Sequence, residues 1–308
     1  MTVLRIASRA STLAMAQTRI VADALARVRP EVEIQIVSVK TAGDQDPDQP
    51  LSKLPGIGFF TSALEQALGN NDADAAVHSF KDLPTGSSPN LTIAAVSERK
   101  HPEDALICRQ NISNIKGLSE GAKVGTSSPR RIAQLRLLRP DLKIVNMRGN
   151  IETRLAKLDL GQCDALILAR AGLERLGLAG RADFFFDPRL FLPAPAQGAL
   201  AIQTRANDQK IIEIVKAIDH PLARLTVMSE RAVLERLHPG CHAPIGVFAE
   251  LENSDIIISA FVSDPKADAF IRKQIQGPRE KALGLANQLA DELIQAGAMD
   301  LINRGAMQ

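Results

Sequence analysis

The strongest constraint on the fold is the repeated alternation of short apolar runs with amphipathic segments in the first two thirds of the chain. The apolar runs include VLRIA, VEIQIVSV, DAAVHS, AKVGT, KIVNM and DALILA. Apolar residues at spacings of three and four predict helices near 11–28, 61–70, 129–139, 151–160, 208–218 and 221–237. Strands that alternate with helices form largely parallel sheets, so this pattern predicts α/β domains.

Two segments have the composition of passages between domains. Segment 97–106 is polar and follows a predicted strand, and segment 191–202 places Pro193, Pro195 and Gly198 in an apolar run that resumes as a strand. A chain that leaves one domain at the first segment and returns at the second makes that domain discontinuous. The predicted domains are residues 1–98 with 199–218, residues 103–193, and a smaller α+β domain of 220–308 that ends in a helix near 279–297.

Composition argues against several classes of protein. The three cysteines, Cys108, Cys163 and Cys241, form no C-x-x-C pair. We therefore expect neither a disulfide framework nor a structural zinc site, and we expect a cytoplasmic location. Neither a signal-peptide core nor an 18-residue apolar span is present in the sequence, so we expect no membrane insertion. A formal net charge of +2 and the absence of Trp and Tyr argue against nucleic-acid binding.

Arginines and small polar residues recur directly after predicted strands, where open α/β sheets bind ligands. Ser11, Ser128 and Asn150 are candidate helix N-caps, and a helix start beside guanidinium groups binds carboxylate or phosphate. A single loop arginine is more often a solvated charge or a surface ion pair, but repetition after several strands predicts a polyanionic ligand. The residues in this pattern are Arg9, Ser11, Ser127, Ser128, Arg130, Arg131, Arg148, Gly149, Asn150, Arg154, Arg170 and Arg175.

A carboxylate breaks this cationic pattern. Asp82 stands beside Lys81 after DAAVHS, where the other strand ends carry arginines. An ionised carboxylate there can stabilise a positive intermediate or move protons, but an aspartate before Leu83-Pro84 can equally well close a turn. We expect His78, inside the strand, to be structural rather than a base.

Cys241 lies in the motif GCHAPIG and has three possible roles. It can be a small buried residue, a metal ligand together with His238 and His242, or a thiol that is held rigidly between Gly and Pro and carries a covalent group. The spacing does not choose among them.

A colinear set of motifs resembles the porphobilinogen deaminase, or hydroxymethylbilane synthase, family along nearly the whole chain. The motifs are RIASRASTLA, AVHSFKDLP, VGTSSPRR, RGNIETRL, AGLERLG, LPAPAQGALAI and GCHAPIG. The resemblance implies two periplasmic-binding-protein-like α/β domains joined by two crossings, plus a smaller C-terminal α+β domain. It also implies a cytoplasmic, monomeric transferase that acts on a small molecule and needs no metal, nucleic acid or membrane.

The resemblance implies a reaction and residue roles as well. In the family, the cysteine matching Cys241 holds a dipyrromethane cofactor through a thioether; four porphobilinogen molecules are deaminated and joined head-to-tail on it, releasing hydroxymethylbilane for haem, chlorophyll and corrin biosynthesis. Asp82 matches the catalytic carboxylate. Cofactor-binding positions implied are Lys81, Asp82, Thr126, Ser127, Ser128, Arg130, Arg131, Arg148, Gly149 and Cys241. Substrate-binding positions implied are Arg9, Ser11, Phe60, Arg148, Arg154, Arg175 and Gln197, with Lys53 on a lid.

The chain departs from the family pattern in segment 41–66. Ile57 stands where the family usually has lysine, and Ser62-Ala63 stand where it has Lys-Glu, so we expect an effect on lid closure and substrate affinity but not on the reaction. The alternative function is a non-catalytic polycarboxylate-binding protein on the same two-domain scaffold. That alternative explains the arginines but not Lys81-Asp82 together with Cys241.

Overall fold

The computed structural model describes residues 2–39, 61–86, 88–237 and 243–304 of the chain. The strands in these ranges are β1 (Thr2–Arg9), β2 (Val32–Val39), β3 (Ala75–Ser79), β4 (Leu91–Val96), β5 (Asp104–Cys108), β6 (Lys123–Gly125), β7 (Lys143–Val145), β8 (Ala165–Ala169), β9 (Phe184–Phe185), β10 (Leu200–Arg205), β11 (Ile245–Glu252), β12 (Asp255–Ser263) and β13 (Phe270–Pro278). The α-helices there are α1 (Thr12–Val28), α2 (Ser62–Gly69), α3 (Pro129–Leu138), α4 (Ile151–Asp159), α5 (Arg170–Arg175), α6 (Gln209–Lys216), α7 (Pro221–Leu237), α8 (Ala282–Gln295) and α9 (Ala298–Asn303).

The chain divides into two compact units. Unit 1 comprises Met1–Lys100 and Gly198–Arg224, and unit 2 comprises His101–Gln197 and Leu225–Gln308. The chain therefore passes between units within the two segments that the sequence marks as crossings, and once more inside α7. The division into three domains with the boundaries given above stays a prediction.

Unit 1 is built on a five-stranded sheet of order β2-β1-β3-β10-β4. Strands β1, β2 and β3 run parallel, whereas β10 is antiparallel to both β3 and β4, because it is the strand on which the chain returns from unit 2. Helices cover both faces. Leu4 and Ile6 pack with α1 and α6 on one face, and Ala7 and Ala76 pack with α2 on the other, following the two-residue period of a strand.

Unit 2 contains a second five-stranded sheet, of order β7-β6-β8-β5-β9. Strands β6, β7 and β8 are parallel and β5 is antiparallel to β8. Leu106 and Ile167 pack with α3 on one face, and Ile107 and Leu166 pack with α4 on the other. The two sheets are thus mixed rather than purely parallel, and the predicted α/β class is confirmed.

The smaller C-terminal domain in unit 2 is a three-stranded antiparallel sheet, β11-β12-β13, with helices α7, α8 and α9 on one face. Val247 and Ile258 pack against these helices. Phe248 and Phe261, on the opposite face of the sheet, pack against Ala133 of α3 and against Leu192. The predicted α+β character of this domain is confirmed. Within the described ranges, no helix has the length and apolar character needed to cross a membrane.

The predicted helices are confirmed, and the largest boundary difference occurs at the last of them. We expected it near 279–297 and it spans Ala282–Gln295, because Arg279–Lys281 form a 3₁₀ turn after β13. The predicted N-caps are confirmed too: Ser11, Ser128 and Asn150 accept hydrogen bonds from the backbone N–H groups of the first turns of α1, α3 and α4.

Candidate active site

The carboxyl edge of the unit 1 sheet brings together two of the predicted site segments. Ile6 pairs with Ala75 in parallel register, so the ends of β1 and β3 lie at the same edge. Arg9 is the half-buried last residue of β1, and the hydroxyl of Ser11 accepts from the N–H of Ala14 at 3.4 Å. This edge therefore combines a cation with the positive end of α1.

Asp82 stands at the same edge, in the 3₁₀ turn Phe80–Asp82 that follows β3. The turn is anchored by the fully buried ring of Phe80 and closed by the backbone, with the N–H of Leu83 donating to the carbonyl of Phe80 at 3.3 Å. Asp82 is exposed, and the described residues make no hydrogen bond to its carboxylate. A turn-closing role for this side chain is therefore disfavoured, because the backbone closes the turn.

His78 is structural, as predicted. It is buried, its Nε2 lies 3.0 Å from Oε1 of Gln203, and Nε2 of Gln203 donates to Glu65 on α2 at 3.0 Å. Burial lowers the pKa of His78 from 6.5 to about 4. The imidazole is therefore neutral near pH 7 and acts as one member of a polar chain that joins β3, β10 and α2.

This lowered pKa predicts acid sensitivity. The unfolded chain binds a proton at His78 near pH 6.5 and the folded chain only near pH 4, so the free energy of unfolding falls as the pH drops through this window. The full effect is about 3 kcal/mol. We expect His78→Gln to remove this part of the pH dependence, so that urea unfolding at pH 7 and pH 4.5 differs less than in the parent. An unchanged difference would contradict the assignment.

In unit 2, hydroxyl groups build the loops that follow β6 and β7. The hydroxyl of Ser127 accepts from the N–H of Met147 at 3.1 Å and lies 2.7 Å from the carbonyl of Met147, which joins the two loops. Thr126 accepts from the N–H of Ser128 at 3.3 Å, and Ser128 caps α3. These hydroxyl contacts of predicted ligand-binding residues thus shape the edge of the sheet.

The turn that carries Arg148 needs glycine at the next position. Gly149 has a φ of +106°, and a Cβ built on it would lie 2.7 Å from Cγ2 of Thr153. The turn is held by Lys157, whose Nζ donates to the carbonyl of Arg148 at 3.2 Å, and by the Asn150 cap at 2.7 Å from the N–H of Thr153. Arg148 and Arg154 are both half-buried at this end of α4.

Gly149→Ala is therefore expected to destabilise the protein by about 1–3 kcal/mol, because it combines a left-handed backbone with a side-chain clash. The measurement is the midpoint of thermal unfolding. Gly180→Ala is the matched control, since nothing lies within 4 Å of a Cβ at that position. Equal midpoints for the two variants would show that the turn tolerates a side chain.

Arg130 and Arg131 are buried at the start of α3, a placement that the sequence did not predict. Their side chains are only 5% and 8% exposed, and both pair with Asp104, which is fully buried at the start of β5. Gln197 also donates to Asp104, at 3.0 Å, and to the carbonyl of Pro102 at 2.7 Å. The two guanidinium groups hold the pKa of Asp104 well below its usual range, against the effect of burial.

The remaining arginines after β8 differ from one another. Arg170, which is not among the site positions that the resemblance implies, forms an ion pair with Glu174 at 2.9 Å, and its guanidinium carbon lies 4.2 Å from the centroid of the Phe185 ring. Arg175 is half-buried, and burial lowers its pKa to about 10. A cation in such surroundings favours a nearby ligand carboxylate, because an opposite charge offsets its desolvation.

Cys241, Lys53 and Phe60 lie outside the described residues. The other two cysteines are described, and both are poor nucleophiles: burial raises the pKa of Cys108 to about 12, and burial also raises the pKa of Cys163. Among the described residues, no three His, Cys, Asp or Glu side chains form a group that could hold a metal ion.

Each of the two sheet edges, taken by itself, carries donor groups that suit ligand carboxylates. Guanidinium groups, helix starts and hydroxyl-lined loops follow the parallel strands of both units, and these are the groups that bind carboxylates best. Dipyrromethane, with a carboxylate on each of its side chains, is a ligand for groups of this kind. Asp82 is the exposed carboxylate that stands among them at the unit 1 edge.

Solved structures similar to this chain include periplasmic binding proteins. The methionine binding protein MetQ is 12% identical, with a TM-score of 0.45, and the alignment covers 74% of this chain and 93% of MetQ. The putative periplasmic sulfonate-binding protein SsuA from Methylobacillus flagellatus KT is 17% identical, with a TM-score of 0.42, and the alignment covers 77% of this chain and 68% of that one.

Comparison of the sequence with known families and proteins finds matches along nearly the whole chain. Residues 4–213 match the family model described as porphobilinogen deaminase, dipyromethane cofactor binding domain, and residues 224–295 match porphobilinogen deaminase, C-terminal domain. Relatives include the porphobilinogen deaminases of Synechococcus sp. (strain RCC307), 43% identical over 97% of this chain and 95% of the relative, and of Acidothermus cellulolyticus, 44% identical over 98% and 92%. With both family models matched and relatives aligned along almost its entire length, the chain belongs to the porphobilinogen deaminase family.

Proposed function

We propose that the chain is a transferase that deaminates porphobilinogen and joins four molecules of it head-to-tail, releasing hydroxymethylbilane for tetrapyrrole biosynthesis. The observation that carries this proposal is the exposed carboxylate of Asp82 at the same sheet edge as Arg9 and the start of α1. A purely binding protein for polycarboxylates has no use for a carboxylate at the centre of its cationic edge, because like charges repel.

Asp82 is proposed as the catalytic residue. Loss of ammonia and bond formation each place positive charge on a pyrrole nitrogen, and an ionised carboxylate close to that nitrogen stabilises the charge and can accept or return its proton. Lys81, half-buried next to Asp82, is proposed to bind a ligand carboxylate. The rigid anchor of this turn, Phe80, keeps both side chains at the sheet edge.

The cationic residues are proposed to divide between cofactor and substrate. Each porphobilinogen carries an acetate and a propionate group, so every unit brings two carboxylates that guanidinium forks bind in bidentate fashion. For the cofactor we propose Lys81, Asp82, Thr126, Ser127, Ser128, Arg130, Arg131, Arg148 and Gly149. For the substrate we propose Arg9, Ser11, Phe60, Arg148, Arg154, Arg175 and Gln197, with Lys53 in the segment that corresponds to the family's lid.

Cys241 is proposed to hold dipyrromethane through a thioether bond. When bound, this group supplies the pyrrole carbon to which the first substrate is joined. The raised pKa values of Cys108 and Cys163 support Cys241 as the attachment residue, since a buried protonated thiol does not attack readily. A cytoplasmic location and a monomeric state are further parts of the proposal, and they rest on the resemblance to the family.

The experiment that tests this function is an assay with porphobilinogen in which ammonia and linear tetrapyrrole are both measured. We expect four ammonia molecules for each tetrapyrrole. A binding protein would bind porphobilinogen without releasing ammonia, and that outcome would exclude the enzyme.

A further inference from the structure

A short strip of backbone in unit 2, Leu192–Pro193, is held on one side by α3. The N–H of Leu192 donates to Oε1 of Gln134 at 2.7 Å, and the carbonyl of Leu192 accepts from Nε2 of Gln134 at 3.0 Å. The same carbonyl accepts from Nη1 of Arg130 at 2.7 Å. Gln134 and Leu192 are both buried, so the amide of Gln134 fixes the strip against the helix that begins with Arg130 and Arg131.

The other side of the strip lies against β11, the first strand of the C-terminal domain. The N–H of Val247 donates to the carbonyl of Pro193 at 3.1 Å. A Cβ built on Gly246 would lie 2.8 Å from the carbonyl oxygen of Leu192 and 2.9 Å from its Cβ, so only glycine permits this approach of two backbones. The strip therefore joins α3 to β11, and a shift of the strip changes the distance between them.

These two elements adjoin the two places at which the cofactor is proposed to be held. Arg130 and Arg131, at the start of α3, are proposed to bind its carboxylates. Cys241, proposed to form the thioether, precedes Ile245, the first residue of β11, by four positions in the chain. A pyrrole that is bound through its carboxylates reacts with a thiol only if the two anchors have the right spacing, and a misplacement of about 1 Å can cost about 10²-fold in rate.

We propose that Gln134 and Gly246 are positioning residues for the attachment of the cofactor. They hold the strip, and the strip sets the spacing between the guanidinium groups of α3 and the thiol of Cys241. This inference rests on the proposed function. In the attachment step the S–C bond forms between Sγ of Cys241 and the aminomethyl carbon of porphobilinogen, the C–N bond breaks, and the thiol proton leaves with the amino group as ammonia.

The test compares the full-length protein with its Gln134→Met variant, both produced in cells that cannot make porphobilinogen, so that Cys241 starts bare. Methionine keeps the volume of the side chain and removes both hydrogen bonds to Leu192. Each protein is mixed with porphobilinogen, quenched at intervals and analysed by intact mass. We expect the mass of the bare chain to disappear about ten-fold more slowly in Gln134→Met. A rate within about two-fold of the parent would overturn the inference.

The control for lowered stability is Ile258→Val, which removes one methyl group from the helical side of the C-terminal sheet and leaves the strip untouched. We expect parental attachment in this variant. Equal slowing in Ile258→Val and Gln134→Met would show a general effect of reduced stability and would exclude a positioning role.

A second variant, Gly246→Ala, displaces the strip from the side of β11 and covers the case in which Gln134→Met does not fold. We expect attachment to be slowed by about ten-fold here too. Gly284→Ala is the matched control, because nothing lies within 4 Å of a Cβ at that position, and it should attach the cofactor at the parental rate. Parental attachment in Gly246→Ala would contradict the role of the strip.

Amide hydrogen exchange gives a readout that does not depend on the cofactor. The N–H of Val247 bonds to Pro193 and not to Gln134, so its exchange reports whether Gln134 holds the strip against β11. We expect this N–H to exchange about ten-fold faster in Gln134→Met, and unchanged exchange would overturn the inference. A parent chain that gains no mass from porphobilinogen would instead overturn the proposed function, while the exchange at Val247 still tests the strip.

Discussion

Replacement of Cys241 by serine is expected to remove the cofactor and the activity together. A serine hydroxyl at neutral pH is a far weaker nucleophile than a cysteine thiolate, so the thioether cannot form. The intact mass of Cys241→Ser should equal that of the bare chain, and consumption of porphobilinogen should fall below about one thousandth of the parental rate, since the reaction has no primer.

The matched control for this variant is Cys108→Ser. Cys108 lies in β5 with a thiol whose pKa is raised to about 12, so its replacement should leave both cofactor and activity in place. Cofactor mass that remains on Cys241→Ser, or that disappears from Cys108→Ser, would contradict the assignment of the attachment residue.

The second large effect is expected for Asp82→Asn, which keeps the shape of the side chain and removes its charge. Without a carboxylate to stabilise positive charge on the pyrrole nitrogen, kcat should fall by about 10²–10⁴-fold. KM for porphobilinogen should change little, because the arginines that bind its carboxylates are untouched. The cofactor mass should remain, which separates loss of catalysis from loss of the primer.

Asp72→Asn provides the control for Asp82→Asn within unit 1. Asp72 is also exposed, but it precedes β3 and therefore stands at the opposite, amino-terminal edge of the sheet. Its replacement should leave kcat within about two-fold of the parent, as for most surface substitutions. A similar loss of kcat in both variants would indicate a general effect of surface charge and would exclude a specific role for Asp82.

The helices and their caps could be predicted from the sequence because their determinants are local. Ser128 followed by Pro129 specifies the start of α3 within a few residues, and Asn150 does the same for α4. The positions of Arg9 and Asp82 at one sheet edge could also be predicted from the sequence, because parallel strands with helical connections place their carboxyl ends together.

The sequence did not predict the environment of the arginines, because it depends on residues far apart in the chain. Asp104 is separated by 27 positions from Arg131 and by 93 from Gln197. Its neighbours along the chain form a polar segment that has the composition of a passage between domains. Only the pairing of β5 with β8 places this carboxylate beneath α3. Strand β13 was not predicted from the sequence for a different reason: three consecutive polar residues, Arg272, Lys273 and Gln274, interrupt its apolar positions, so its alternation is weak.

The central claim is that Cys241 carries the primer on which the product is built. The most direct measurement is the intact mass of the purified protein, followed by peptide mapping of the segment that contains Cys241. We predict a mass excess equal to two linked pyrrole units, located on Cys241. A bare thiol at Cys241 that gains no such mass when porphobilinogen is added would contradict the account.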